Sequence, residues 1–124
     1  MNQVAKFYKV SFEQFKKDWL KNDYLDPPLD DNELKEVYDN IKLPCRATTG
    51  SAGYDFFMPT FLANKYNPNN DSFEITIPTG ICCEIKDGWV LMLYPRSGMG
   101  FKHGVRLANS VGIIDSDYFE AENE

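Results

Sequence analysis

The sequence predicts an all-β barrel or sandwich preceded by a short two-helix extension. Two observations predict it. Before residue 43, apolar residues recur at helical spacing in two short segments. From Leu43 onward the chain becomes a series of short β-type runs divided by Gly, Pro and Asn. Such strands bury an apolar face by packing as two sheets or by closing on themselves. A chain of 124 residues with 43% apolar content supplies one core of ordinary size, burying roughly two-thirds of the unfolded surface. The sequence holds no internal repeat and no long linker. The expected organisation is therefore a helical extension over residues 1–42 joined to a β domain over residues 43–124.

The first helix lies in SFEQFKKDWLKN. Ser11 and Gln14 make a capping-box pair, and Phe12, Phe15 and Trp19 fall at i, i+3 and i+7, which gives one apolar stripe for docking. Asp26-Pro27-Pro28 breaks the chain. The second helix, in DDNELKEVYDNI, starts with acidic residues where a helix favours negative charge, and carries Leu34, Val37, Tyr38 and Ile41 at helical spacing. Asn64–Asp71 reads as a solvated, turn-rich loop. Phe73–Ile77 alternates apolar and polar residues, Pro78-Thr79-Gly80 turns, Ile81–Ile85 resumes, and Lys86-Asp87-Gly88 turns again. Trp89–Tyr94 is nearly all apolar, as in a strand covered on both faces. Gly104–Glu124 combines an apolar run, a tight polar hairpin signal and an acidic residue after two isoleucines.

Charge narrows the function. With 13 Lys and Arg against 19 Asp and Glu, the net charge of −6 repels phosphate polymers, so DNA and RNA are not expected partners. A small phosphorylated ligand stays compatible, because a local Arg, backbone N–H groups and a bound cation outweigh a distant negative surface. The three cysteines, Cys45, Cys82 and Cys83, are odd in number and lack CxxC spacing. They argue against a disulfide framework or a zinc site and read as reduced, mostly buried thiols. MNQVAKFYKV has no apolar signal core, and no segment approaches the ~18 apolar residues of a membrane span. The expectation is a soluble cytoplasmic protein with no membrane partner.

Three segments are more Gly/Ser-rich or more densely polar than a strand connection needs. Ala47–Asp55, ATTGSAGYD, taken alone is a glycine-bearing loop leading into a strand. Pro95–Gly100, PRSGMG, follows the apolar strand and offers a guanidinium, a hydroxyl and an unobstructed backbone N–H in Arg96, Ser97 and Gly98, the donors an oligophosphate requires. In the third, Asn109, Gly112 and Asp115 surround the short apolar hairpin and Tyr118 follows. Asp is a common turn former and Tyr a common packing residue, so neither decides anything singly. His103 has no Cys or His neighbour and reads as a loop residue.

In this order the segments closely resemble motifs one, two and three of the homotrimeric dUTP diphosphatase family: LPCRATTGSAGYDF, YPRSGMG and ANSVGIIDSDY, covering Leu43 to Tyr118. The resemblance implies a jelly-roll β-barrel and hydrolysis of dUTP to dUMP and pyrophosphate. It implies that the hairpin, with Asn109, Ile113 and Ile114, presents backbone groups to the uracil edge. Tyr118 would pack on the deoxyribose, and Arg96, Ser97 and the Gly98 N–H would hold the phosphates. Asp115 would orient and deprotonate the attacking water. Magnesium would be bound through the substrate triphosphate, with no direct protein ligand and with Asp55 near its water shell. A rigid peptide edge rejects cytosine because buried polar groups are then left unpaired.

The family's fourth and fifth motifs have no counterpart in these residues, so the expectation is a chain truncated after motif three. Asp117 and Phe119-Glu120-Ala121 also depart from the Gly-containing stretch common around the motif-three tyrosine. The rival expectation is a truncated, catalytically impaired module of the same fold that binds nucleotide or a protein. A weaker alternative is the structural cousin dCTP deaminase, against which IIDSDY speaks. Intact relatives form homotrimers with shared active sites. A regulatory protein partner is not identified by the residues.

Overall fold

The computed structural model describes residues 3–21, 29–59 and 76–119. They form β1 (Ala5–Lys9), α1 (Phe12–Leu20), α2 (Asp31–Asp39), β2 (Ile81–Ile85), β3 (Leu91–Leu93), α3 (Ser97–His103) and β4 (Gly112–Ile114). β1 pairs with β2 and β3 with β4. The chain divides into two compact units, Phe7–Cys82 and Met1–Lys6 with Cys83–Glu124. The Asp26-Pro27-Pro28 break, the Asn64–Asp71 loop, the Phe73–Ile75 half of the expected alternating strand, and Glu120-Ala121 lie outside the described residues.

In the Phe7–Cys82 unit, α1 and α2 form as their sequences require. The Ser11 side chain accepts from the Gln14 N–H at 3.1 Å and caps α1. Asp30 does the same for α2, accepting from the Glu33 N–H at 2.8 Å. Each bond satisfies a backbone donor that the helix itself leaves unpaired. The stripes then meet. Phe15 is fully buried and forms the core with Trp19, Leu34 and Ile41, while Phe12, Val37 and Tyr38 pack half-buried against it. Phe15 sits 5.5 Å from the Trp19 ring and 5.7 Å from the Tyr38 ring. The Tyr38 hydroxyl, carried into this apolar setting, donates to the Val10 carbonyl at 2.6 Å. Burying each large apolar side chain stabilises by about 1.5–3 kcal/mol.

The other unit carries the antiparallel β3–β4 pair, in register Leu91↔Ile114, Met92↔Ile113 and Leu93↔Gly112. This corrects two expectations. Trp89–Tyr94 is not a strand covered on both faces: only Leu91–Leu93 is paired, and Trp89 and Tyr94 are 57% and 63% exposed, with Val90 and Met92 also exposed. Among the described residues this sheet has two strands, and a two-stranded ribbon has no second layer to cover its faces. The apolar stretch Gly112–Ile114 does not fold back on its neighbours in sequence either. Its partner is β3, and the tight turn before it, closed by the Ser110 N–H on the Leu107 carbonyl at 3.0 Å, only reverses the chain. Ser110 takes a φ of +67° to do so.

Two further corrections are local. His103 is not a loop residue: Arg-Ser-Gly leads into a helix, α3, that runs to His103. Gly104 ends it with a φ of +63°, donating to Gly100, while the Val105 N–H reaches the Met99 carbonyl at 3.1 Å, a left-handed glycine closure. His103 therefore belongs to the last turn of α3, beside Lys102, where positive charge suits the helix C-terminus. Of the three free cysteines only Cys83 is buried, and Cys45 is exposed because it stands at the open base of the motif-one loop.

Candidate active site

The β3–β4 register decides which site residues come together. Leu93 pairs with Gly112, so the chain leaving β3 through Tyr94 to Gly98 and the chain entering β4 through Asn109 to Val111 share one end of the ribbon. Ile114 pairs with Leu91, so Asp115 to Tyr118 leave from the other end. Within one copy, the segments carrying Arg96, Ser97, Gly98 and Asn109 therefore join the ribbon at one end and the segment carrying Asp115 and Tyr118 at the other.

Arg96 is the N-cap of α3 and Ser97 its first helical residue, and the first intrahelical bond of the element runs from the Gly100 N–H to the Arg96 carbonyl at 3.1 Å. The N–H groups of Ser97, Gly98 and Met99 precede that bond, which leaves them outside the i→i−4 ladder. Gly98 has open space around its missing β-carbon. The segment thus presents an exposed guanidinium, a hydroxyl and bare backbone donors, all suited to anionic oxygen. On β4, Ile113 is 62% exposed while Gly112 is buried and Ile114 half-buried, the alternation of a strand with one side turned out. Gly112 is buried because Leu93 occupies its side-chain space, with the nearest Leu93 atom 3.1 Å from where a β-carbon would stand. Asp115 is exposed and opens a turn in which the Tyr118 N–H donates to the Asp115 carbonyl at 3.2 Å, leaving the Tyr118 ring half in solvent.

Asp55 belongs to the Phe7–Cys82 unit. It forms an isolated antiparallel bridge with Cys45, its N–H donating to the Cys45 carbonyl at 2.8 Å and its carbonyl accepting from the Cys45 N–H at 3.3 Å. The loop between them is closed at its tip by the Ser51 N–H on the Thr48 carbonyl (3.1 Å) and the Thr48 N–H on the Ser51 hydroxyl (3.0 Å). Arg46, which the sequence reading passed over, reaches the Thr49 carbonyl at 3.4 Å and lies 5.4 Å from the Tyr54 ring. Its only signal was a cation eight residues from an aromatic across a glycine-bearing loop.

An open cleft of about 280 Å³ is lined by Glu84, Ile85, Asp87, Ser116, Asp117 and Phe119. Three carboxylates line it and none of the expected phosphate- or base-holding residues does, so it is not where a triphosphate would settle. Among the described residues, no group of three or more His, Cys, Asp or Glu could hold a metal ion.

A model of the dUTPase family matches residues 39–121, the span that contains all three motif segments. The chain belongs to the dUTPase family. Among its relatives is the deoxyuridine 5'-triphosphate nucleotidohydrolase of Chromobacterium violaceum, 47% identical over 77 residues that make up 61% of this chain and 49% of that protein. The enzyme of the same name from Paraburkholderia phymatum is 44% identical over 78 residues, 62% of this chain and 51% of that one. The one from Wolbachia pipientis wMel is 41% identical over 80 residues, 64% and 50%. The chain spans about half the length of the curated relatives it matches. No solved structure matches it. The dUTPase fold is a β jelly roll, with which the antiparallel strand pairing of motifs two and three agrees; the described residues also hold three helices, of which α3 lies inside the matched span. Among those residues, no helix is long and apolar enough to cross a membrane.

Proposed function

We propose that this dUTPase-family chain supplies base-reading and phosphate-holding parts for the hydrolysis of dUTP to dUMP and pyrophosphate. The observation that carries the reading is the family match over 39–121, within which ATTGSAGYD, PRSGMG and ANSVGIIDSDY stand in order. In this reading the β4 edge, with Asn109, Ile113 and Ile114, hydrogen-bonds the uracil, and Tyr118 packs on the deoxyribose. Arg96, Ser97 and the Gly98 N–H neutralise and orient the phosphates. Asp115 takes the proton of the water that attacks the α-phosphorus. Catalysis then consists of positioning, proton transfer and charge stabilisation. Magnesium, when bound through the triphosphate, supplies charge neutralisation, and Asp55 orients a water of its shell.

The working assembly in this reading is a cytoplasmic homotrimer. Its support is the ribbon geometry: Asp115 and Arg96 leave β3–β4 from opposite ends, which suits sites completed by a neighbouring copy, and Trp89, Val90, Met92, Tyr94 and Ile113 offer apolar surface for association. The N-terminal residues 1–42 act as an extension of the β domain at 43–124 that carries strand β1 beside the two expected helices.

Product analysis tests the reading. The chain is incubated with dUTP, dCTP or dTTP and magnesium, and dUMP with pyrophosphate is expected from dUTP alone. Selective dUTP binding without product would instead favour the rival, a nucleotide-binding module; deamination of dCTP would sink both.

A further inference from the structure

We propose that Phe7 is a positioning residue for Asp55, an assignment that rests on the dUTP-hydrolysing reading for its functional consequence but on geometry for its structural one. Asp55 stands in paired, extended backbone between Tyr54 and Phe56. In such backbone successive side chains point to opposite faces, so residues 54 and 56 share one face and Asp55 takes the other. Both rings on the shared face pack on Phe7. The Tyr54 centroid is 5.5 Å away at an interplanar angle of 58°, and the Phe56 centroid 5.6 Å away, edge-on at 85°. These are favoured aromatic geometries, and two of them on one ring define an orientation, whereas one would leave a hinge.

The anchor lies on a sheet, because Phe7 belongs to β1 and β1 is hydrogen-bonded to β2. It also lies outside the family-matched span of 39–121, so this part of the N-terminal segment acts on motif one from beyond it. Tyr54 carries a second constraint, the Arg46 guanidinium, which ties the ring to the Thr49 carbonyl inside the same loop. Releasing the two rings from Phe7 leaves the 54–56 segment held by the Cys45–Asp55 bridge and the Arg46–Tyr54 contact, about which it can twist and take the Asp55 carboxylate with it. A carboxylate that works through a water on a substrate-borne cation depends on its direction, and outer-shell partners of that kind change metal affinity by about 10–100-fold when removed.

The test uses Phe7→Ala, with Phe7→Tyr as the variant that restores the ring. In the ligand-free chain, the Hα–Hβ couplings of Asp55 are expected to report one side-chain rotamer in the wild type and in Phe7→Tyr, and averaging in Phe7→Ala, with the amide spectrum of α1 and α2 unchanged. In a second arm, α,β-imido-dUTP is titrated with and without magnesium, beside dUMP. The gain in affinity that magnesium confers should fall about tenfold in Phe7→Ala, at the low end of the outer-shell range, while dUMP affinity holds. A single Asp55 rotamer in a folded Phe7→Ala chain, or an undiminished magnesium gain, overturns the assignment. If the wild type binds neither nucleotide, the functional reading falls and the rotamer arm still decides whether Phe7 directs Asp55. Should Phe7→Ala not fold, Phe56→Ala removes one of the two ring contacts and carries the same readouts.

Discussion

Gly112 and Leu93 face each other across the β3–β4 ribbon so closely that a β-carbon at 112 would stand 3.1 Å from the Leu93 Cβ and 3.2 Å from its Cδ1. The contact fixes the register at the end where the motif-two and motif-three segments meet. Gly112→Ala forces Leu93 aside and is expected to cost about 1–3 kcal/mol, the range for overpacking, and to weaken deoxyuridine binding by distorting the β4 edge. Gly98→Ala is the contrast, because open space surrounds that position and alanine suits a helix better than glycine by about 1 kcal/mol. Urea unfolding and deoxyuridine titration of both variants check this; equal destabilisation would contradict the proposed contact.

Gly80 answers to two constraints together. Its φ is +71°, and a β-carbon there would lie 2.6 Å from the Ile41 Cδ1 and 3.3 Å from the Phe15 ring. Gly80→Ala should destabilise the Phe7–Cys82 unit by at least about 1–3 kcal/mol, since backbone strain adds to overpacking. Trp19 fluorescence against urea measures it, and a midpoint matching the wild type would show that the core yields more readily than its packing implies.

The opposite exits of Arg96 and Asp115 from the ribbon lead to a mixing experiment. Asp115→Asn is expected to lower turnover by about 10²–10⁴-fold with little change in dUTP affinity, because the base is lost and the shape kept. Arg96→Ala should weaken dUTP far more than deoxyuridine, which has no phosphate to lose. If sites are shared between copies, combining the two impaired variants, at dUTP concentrations too low for Arg96→Ala to be occupied, restores part of the activity. Persistent inactivity of a mixture shown to contain mixed trimers would place each site within one copy.

The start of α2 supplies a pH dependence with two opposed parts. The Glu33 N–H holds the Asp30 carboxyl below its usual value, so that cap stabilises the helix above the ordinary aspartate range and is lost as pH falls through the lowered value. The Asp30 charge pushes Glu33 the other way, upward, so that its contribution is present at low pH and is lost as pH rises through the raised value. Glu33→Gln should remove the second part and leave stability that only declines on acidification. Amide exchange across α2 between pH 3 and 6, a range set about the ordinary carboxylate values, reads this out; an unchanged profile in Glu33→Gln would refute the coupling.

The two N-terminal helices and the three motif segments were determined by local sequence alone. Ser11 and Asp30 cap their helices within three residues, and Phe15, Trp19, Leu34 and Ile41 recur at a period that needs no distant information. α3 escaped because Gly98 and Gly100 lower its intrinsic propensity, and what closes it is the left-handed Gly104. Only the tertiary structure decided that Gly112–Ile114 pairs with Leu91–Leu93, about twenty residues earlier, and so which site residues share an end of the ribbon. It alone placed Phe7 against Tyr54 and Phe56, almost fifty residues later. Caps and periodicity act over one helical turn, where a single sequence is informative. Strand partners and ring contacts are chosen by competition among all apolar segments of the folded chain, and that competition is settled only in three dimensions.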